Sequence, residues 1–166
     1  MYQSTRLADA QLDASDGNGK IVYSTNDGAT WNNLHTFNHP VFWLGIDPNN
    51  QNTMYASVIH FGGTQGSQLG GIYRTIDLNN LAGSTWTKLS NPPRTEGHPA
   101  SIIVLNDGKV VCTFSGRRNI SGAFTASSGV FIYDPSGNSW TDVSHSGMYY
   151  WTKDIILDPS DNLQNT

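Results

Sequence analysis

A threefold repeat constrains this 166-residue chain more than any other feature of its sequence. Three stretches share one order: a run of aromatic and β-branched residues, a turn, and a second run that contains a tryptophan. Their tryptophans, Trp31, Trp86 and Trp140, recur at intervals of 55 and 54 residues. Further pairs of apolar runs lie between these stretches, at residues 41–47 with 52–59 and at residues 100–105 with 109–114. The repeat therefore contains four short strands in about 50 residues, a period typical of repeated β architectures.

Composition and the repeat together predict the fold class. Charged residues make up only 13% of the chain, and short apolar runs alternate with turns rich in Gly, Asn and Ser. Such a pattern is typical of an all-β chain. Four strands per period predict a β-propeller with four-stranded antiparallel blades, about three blade equivalents per chain.

The two ends of the chain read as parts of one blade. Gln-Asn-Thr at residues 51–53 is followed by Met-Tyr-Ala-Ser, the last three residues are again Gln-Asn-Thr, and the chain begins Met-Tyr-Gln-Ser. We therefore expect a single propeller unit over residues 1–166: residues 1–37 form strands two to four of a shared blade, 39–90 and 98–144 form two complete blades, and 150–166 form the inner strand of a shared blade. Because propellers usually need about four to eight blades, we expect a six-bladed ring closed by homodimerisation.

The turn at residues 24–31, Ser-Thr-Asn-Asp-Gly-Ala-Thr-Trp, resembles the Asp-box (BNR repeat) of sialidases, xyloglucanase-type glycoside hydrolases and sortilin-like proteins. Asn26 stands where the Asp-box has its aspartate, whereas the second turn, at residues 76–84, keeps Asp77. Residues 46–49, 52–56 and 70–75 look like a xyloglucanase-type blade, and the third turn, at residues 133–140, is closer to a kelch-type turn. The resemblance implies a propeller in which these turns serve structure, on the face opposite the usual substrate site.

Two equivalences follow from aligning the repeats. The tryptophans Trp31, Trp86 and Trp140 are expected to pack in the seams between adjacent blades, because each offers a large apolar ring. The tyrosines Tyr23, Tyr73 and Tyr133 are expected to occupy matching positions.

Long loops indicate which face binds a ligand. Connections at residues 8–19, 60–71 and 116–129 lie on the face opposite the Asp-box turns, and long loops on a rigid scaffold often carry binding residues. The candidate ligand-binding residues are His39, Trp43, His60, His98, Arg117, Arg118, Tyr150 and Trp151. His39, His98 and the pair Tyr150 and Trp151 would ring the central channel at matched positions of the repeat. The tryptophans could stack a sugar, and the arginines could hold a carboxylate or phosphate. The alternatives are hydrogen-bonded loop histidines, buried tryptophans and solvated arginines.

Charge and residue types narrow the function. Net charge −4 without a basic run argues against nucleic-acid binding, and we expect no membrane span, metal site or cofactor. Glycoside hydrolysis needs two facing carboxylates, but Glu96 is the only glutamate and no aspartate spacing supplies a pair. We expect a non-catalytic module that binds carbohydrate on the long-loop face. The alternatives are a xyloglucanase-like glycoside hydrolase, or a fragment of one, and a structural or protein-interaction propeller. The composition leans towards an extracellular protein, and the catalytic residues stay unassigned.

Overall fold

The computed structural model describes residues 1–7, 18–59, 70–116, 126–148 and 152–161. Within these ranges the chain forms eleven β-strands and one short 3-10 helix, Leu78–Gly83. The strands are β1 (Tyr2–Leu7), β2 (Asn18–Tyr23), β3 (Asn32–Phe37), β4 (Val41–Ile46), β5 (Met54–Val58), β6 (Gly71–Thr75), β7 (Thr87–Lys88), β8 (Pro99–Val104), β9 (Val110–Phe114), β10 (Gly129–Asp134) and β11 (Ser139–Asp142).

The strands form three antiparallel sheets in which every strand pairs with its neighbours in sequence. The first sheet contains β1, β2 and β3; the second contains β4 to β7; the third contains β8 to β11. Edge strand β4 of the second sheet contacts β1 of the first, and edge strand β8 of the third contacts β4. The all-β class expected from the sequence is therefore confirmed.

The sheets stack face to face through two apolar clusters. Ile21 and Leu34 of the first sheet pack against Met54 and Val58 of the second, and all four are almost fully buried. The second cluster joins the second and third sheets, and its buried members are Tyr55, Ile72, Leu89, Ile102, Val104, Val110, Cys112, Phe114, Phe131 and Tyr133. Burial of one large apolar side chain stabilises a fold by about 1.5–3 kcal/mol, so these clusters supply much of the driving force for stacking.

Gly45 lets β4 and β8 approach each other closely. A Cβ atom at this position would lie 2.9 Å from Cγ2 of Ile102, inside the normal contact distance. Ile102 is itself buried and cannot easily move away. The close contact between these two edge strands thus depends on the absence of a side chain at residue 45.

Buried hydroxyl groups also join successive sheets. Ser57 Oγ on β5 donates to the Ala100 carbonyl on β8 at 3.1 Å. Thr113 Oγ1 on β9 donates to the Lys153 carbonyl at 2.8 Å. Residues 152–158, called here the C-terminal segment, therefore lie on the third sheet much as β8 lies on the second. The sequence predicted an inner strand in this segment, but none of its residues has the ladder hydrogen bonds of a strand.

The expected equivalence of the three tyrosines is wrong. Tyr23 pairs with Tyr2, whereas the residue that pairs with Tyr55 is Arg74. Since Tyr2 and Tyr55 belong to matching Met-Tyr pairs, Tyr23 corresponds to Arg74 and not to Tyr73. A shift of one residue moves a side chain to the opposite face of its sheet, so Tyr23 faces the following sheet and Tyr73 the preceding one.

The seam position expected for the tryptophans holds for two of them. Trp86 packs against Phe37 of the first sheet, with ring centroids 5.5 Å apart. Trp140 Nε1 donates to the Ser90 carbonyl, which follows the second sheet, at 2.8 Å. Trp31, in contrast, is 39% exposed, so the described residues form no seam around it. The physical reason is that no sheet precedes the first one in the described part of the chain.

Each Asp-box-like turn contains one side-chain oxygen that accepts two hydrogen bonds from within the turn. Asn26 Oδ1 accepts from Ser24 Oγ at 3.0 Å and from the Thr30 backbone N–H at 2.9 Å. Asp77 Oδ1 accepts in the same way from the Thr75 hydroxyl at 2.6 Å and from the Thr85 N–H at 2.9 Å. Asn26 therefore does in the first turn what aspartate does in the second.

Candidate functional site

The candidate site lies at the end of the sheets where β3 leads into β4 and β7 leads into β8. We call this the loop end, and the opposite end, which carries the Asp-box-like turns, the turn end. In an antiparallel four-stranded sheet, the connection between the second and third strands lies at the same end as the connection to the next sheet. The described residues of the loop end are 38–40, 59, 70, 90–98, 115–116, 126–128 and 144–148.

His39 and His98 both lie at the loop end: His98 directly precedes β8, and His39 lies two residues before the start of β4. The His39 carbonyl accepts from the Gly19 N–H at 3.2 Å, and the His98 carbonyl accepts from the Ser115 N–H at 2.8 Å. Ile59, the residue after β5, donates its N–H to the Pro40 carbonyl, whereas Ser115, the residue after β9, donates to the His98 carbonyl. His98 therefore corresponds to Pro40, and His39 lies one residue earlier in the repeat. The two imidazoles are therefore not quasi-equivalent, contrary to the sequence alignment.

Trp43 is open to solvent on edge strand β4. It is 41% exposed, and its neighbour Phe42 is 39% exposed. A β-bulge between Val41 and Trp43 shifts the register against β5, and bulges of this kind redirect side chains. The alternative that Trp43 is a buried core residue is therefore not observed, and an aromatic surface is available for a ligand.

The remaining candidates from the sequence fall outside the described residues. They are His60, Arg117, Arg118, Tyr150 and Trp151. Their assignment to a ligand site stays a prediction.

Glu96 is a loop-end residue that sequence reasoning did not select for binding. It lies two residues before His98, and its Oε2 is buried without a hydrogen-bond partner among the described residues. A buried polar atom without a partner costs about 1–3 kcal/mol, so this oxygen marks a place at the loop end where hydrogen bonding is incomplete. The sequence feature that could have identified Glu96 as a candidate is that it is the only glutamate of the chain.

A cleft of about 490 Å³ opens at the loop end of the third sheet. Its lining residues are Arg94, Ala126, Ser128, Asp142, Ser144, His145, Ser146 and Met148. They come from three separate parts of the chain, the connection between β7 and β8, the residues before β10, and the end of β11 with the residues after it. Nothing in their sequence spacing predicts this assembly.

Arg94 forms one wall of the cleft and uses all of its donors within the protein. Its Nε and Nη2 donate to the two oxygens of Asp142 at 2.8 and 3.2 Å, and Nη2 also donates to Ser144 Oγ at 2.8 Å. Its Nη1 donates to the carbonyls of Ala126 and Ser128 at 2.5 and 2.8 Å. An arginine has five N–H donors, and these five contacts account for all of them. Arg94 therefore fixes the cleft and leaves no donor for an anionic ligand.

The same contacts determine the electrostatics of the cleft. The Arg94 guanidinium, with help from the Ser144 hydroxyl, lowers the pKa of Asp142 to about 2. The guanidinium carbon also lies 5.1 Å from the centroid of the Phe131 ring, a cation–π distance. The guanidinium and the carboxylate thus compensate each other's charge, and the lowered pKa keeps Asp142 ionised at neutral pH.

His145 and Met148 supply the more open part of the lining. His145 Nδ1 accepts from the Gly147 N–H at 3.0 Å, so the neutral imidazole carries its proton on Nε2. Met148 is 37% exposed and adds an apolar surface. With Arg94 and Asp142 paired to each other, the cleft offers an imidazole N–H, serine hydroxyls and a thioether, groups that suit a polar but uncharged ligand.

Metal and thiol chemistry find no support in the described residues. Among them, no three His, Cys, Asp or Glu side chains are close enough together to hold a metal ion. Cys112 is fully buried, and burial raises the pKa of its thiol well above the ordinary value. In the described ranges, no helix has the length and apolar character needed to cross a membrane.

A search of protein-family models and a search of curated proteins found no match to this chain. The functional interpretation therefore depends on the geometry of the chain itself.

Proposed function

We propose that the chain is a non-catalytic β-propeller module that binds carbohydrate at the loop end. The observation that carries the proposal is the cleft at the third sheet, whose arginine and aspartate satisfy each other while neutral hydrogen-bonding groups face the opening. A neutral sugar needs oriented donors and acceptors, whereas a phosphate or carboxylate would need an unpaired cation.

The stacking of the sheets supports the propeller arrangement. Three antiparallel sheets pack face to face, and their edge strands β1, β4 and β8 neighbour one another in that order. In a propeller, the blades are arranged radially, with their first strands around the central axis. The C-terminal segment continues the series, because Thr113 holds it as Ser57 holds β8.

An exposed aromatic surface at β4 supports a sugar as the ligand class. The C–H face of a pyranose ring packs well on an aromatic ring, and Trp43, which is 41% exposed on edge strand β4, offers such a ring. This surface gives the module a second contact region besides the cleft.

A glycan array followed by titration calorimetry tests the proposal. We expect binding to neutral oligosaccharides and weaker binding to sialylated or uronic-acid glycans. Ser146→Ala and His145→Ala should each weaken binding about tenfold, the value of one hydrogen bond of about 1.4 kcal/mol. Ser139→Ala is the matched control, because Ser139 is an exposed serine on β11 outside the cleft. Unchanged affinity in both cleft variants would refute the assignment of the cleft.

Glu96 favours a second candidate, a xyloglucanase-type glycoside hydrolase. Its buried carboxylate oxygen has no hydrogen-bond partner among the described residues, as would suit a group that acts on a ligand. The test is the release of reducing ends from xyloglucan or other β-glucans. If the wild type releases them and Glu96→Gln does not, the hydrolase proposal replaces the binding proposal. A chain that binds no glycan and releases no sugar would instead be a structural or protein-interaction propeller.

A further inference from the structure

A second cleft, of about 470 Å³, lies at the turn end between the second and third sheets, and we call it the turn-end cleft. It shares no lining residue with the cleft at the loop end. Its lining includes five charged side chains, in a chain of which only 13% of residues are charged. They are Asp47, Arg74, Asp107, Lys109 and Asp134. Four of these five follow from the turns that contain them, and one does not.

The three aspartates and the lysine are part of local turn structure. The Oδ1 atom of each aspartate accepts the backbone N–H of the residue two positions later, at distances of 2.8 to 3.0 Å. Aspartate commonly closes turns in this way. The Lys109 ammonium group donates to the other oxygen of Asp107. These four side chains therefore need no ligand to explain them.

Arg74 has no such structural role. No carboxylate of the described residues lies within ion-pair distance of its guanidinium, whereas Arg94 uses all five of its donors inside the protein. The cross-strand neighbour of Arg74 is Tyr55, which is only 2% exposed. Burial raises the pKa of Tyr55 and the Arg74 guanidinium opposes that rise, so the two polar groups lie close together in the lining. The cleft thus holds a guanidinium with donors to spare beside a buried hydroxyl.

The charge balance of the turn-end cleft limits what Arg74 can bind. Its two cations and three carboxylates leave the lining with a net charge of −1. A simple anion would pair with Arg74 but would be repelled by the carboxylates, and a simple cation would leave Arg74 without a partner. A zwitterion meets both demands, because its carboxylate suits the guanidinium fork while its ammonium group suits an aspartate. Oδ2 of Asp47 and of Asp134 takes no part in the turn hydrogen bonds.

An exposed isoleucine adds an apolar wall to the same cleft. Ile76 is 64% exposed and follows β6 directly. In the first turn the matching residue is the exposed Thr25, since Asn26 corresponds to Asp77. The turn itself therefore does not require an apolar side chain at this position.

We propose that the turn-end cleft binds a small zwitterion, an α-amino acid with an apolar side chain. The carboxylate of the amino acid pairs with Arg74 beside the Tyr55 hydroxyl, its ammonium group faces Asp47 or Asp134, and its side chain contacts Ile76. The cleft volume lies within the range of small-molecule sites. The inference is independent of carbohydrate binding, because that proposal concerns the opposite end of the molecule.

Titration with leucine, followed by amide chemical shifts, is the first test. We expect a dissociation constant of about 1 mM, a value within the range of binding energy per atom known for small ligands. Shifts should change at residues 74–77 and 107–109 and stay constant at residues 145–148. No change at about 10 mM leucine, or changes only at residues 145–148, would overturn the proposal.

Two derivatives of leucine test the need for both charges. N-acetylleucine lacks the ammonium group and leucinamide lacks the carboxylate, so each should bind at least about tenfold more weakly than leucine. Binding of either derivative as tight as that of leucine would refute the zwitterion assignment.

Two variants test the groups that hold the carboxylate. Arg74→Gln should weaken leucine binding about tenfold or more, and Tyr55→Phe, which removes only a hydroxyl, about fivefold. Tyr2→Phe is the matched control, because Tyr2 is the first-sheet counterpart of Tyr55 and lies outside the turn-end cleft. Unchanged affinity in Arg74→Gln, or an equal loss in Tyr2→Phe, would contradict the proposal.

Ile76→Thr tests the apolar contact while giving the second turn the residue found in the first. The variant should bind leucine about fivefold more weakly and should bind glycine as the wild type does, because glycine has no side chain to place on residue 76. An unchanged affinity for leucine, or an equal loss for both amino acids, would refute the contact between Ile76 and the ligand side chain.

Discussion

Thr113→Val should destabilise the protein and loosen the C-terminal segment. Thr113 is fully buried, and its Oγ1 accepts from the Ser101 N–H at 3.0 Å while donating to the Lys153 carbonyl at 2.8 Å. Valine has nearly the same shape, so the variant removes both hydrogen bonds without leaving a cavity. The effect therefore measures hydrogen bonding and not packing.

The magnitude follows from the surroundings of the two partners. Ser101 is 0% exposed, so its N–H loses its partner in a site without water, at a cost of about 1–3 kcal/mol. Lys153 is exposed, so its carbonyl can bond to water instead and adds at most about 1 kcal/mol. We expect a loss of about 2–3 kcal/mol in the free energy of unfolding.

Urea unfolding and amide exchange measure the two consequences. Thr113→Ser is the matched control, because it keeps the hydroxyl and should cost only about 1 kcal/mol for the lost methyl group. The Ile155 amide, which donates to Ser101 Oγ at 3.3 Å, should exchange faster in Thr113→Val than in the control. A loss below about 0.5 kcal/mol with unchanged exchange would show that this hydroxyl does not hold the segment.

Three other perturbations test the cleft, the first turn and the contact between β4 and β8. The folded-state pKa of Asp142 is lowered by Arg94 to about 2, so its contribution to stability is present at pH above about 4 and is lost as the pH falls towards 2. Thermal unfolding should therefore show a smaller loss over this pH window in Asp142→Asn than in the wild type, and equal profiles would contradict the pairing. Asn26→Ala should lower the free energy of unfolding by about 1 kcal/mol, whereas Asn26→Asp should keep it, because Oδ1 of residue 26 accepts two hydrogen bonds. Equal melting temperatures for these two variants would show that the turn does not need this acceptor. Gly45→Ala should cost about 1–3 kcal/mol through overpacking, while Gly83→Ala, with its nearest atom at 3.9 Å, should be close to neutral in the same urea titration.

Sequence alone determined the class of fold and the chemistry of the turns, because both depend on contacts between near neighbours. The alternation of short apolar runs with turn residues predicted the all-β class, and the eleven strands agree with it. Asn26 could be recognised as a substitute for an aspartate, since the turn needs an acceptor that reaches the Thr30 N–H four residues later. Ladder hydrogen bonds and turn bonds of this kind follow from residue type and spacing.

Only the tertiary structure decided the registers, the exposed surfaces and the cleft. The repeat alignment matched Tyr23 with Tyr73, but the strand pairing shows that their positions differ by one residue. A shift of one residue places a side chain on the opposite face of its sheet, and sequence similarity alone does not detect it. Trp31 has the same local sequence context as a seam tryptophan, yet its burial depends on whether another sheet covers it. The cleft joins Arg94 to Asp142 across 48 residues of chain. Its geometry arises because sheet stacking brings distant segments together, and the local sequence does not predict which of these segments will be in contact.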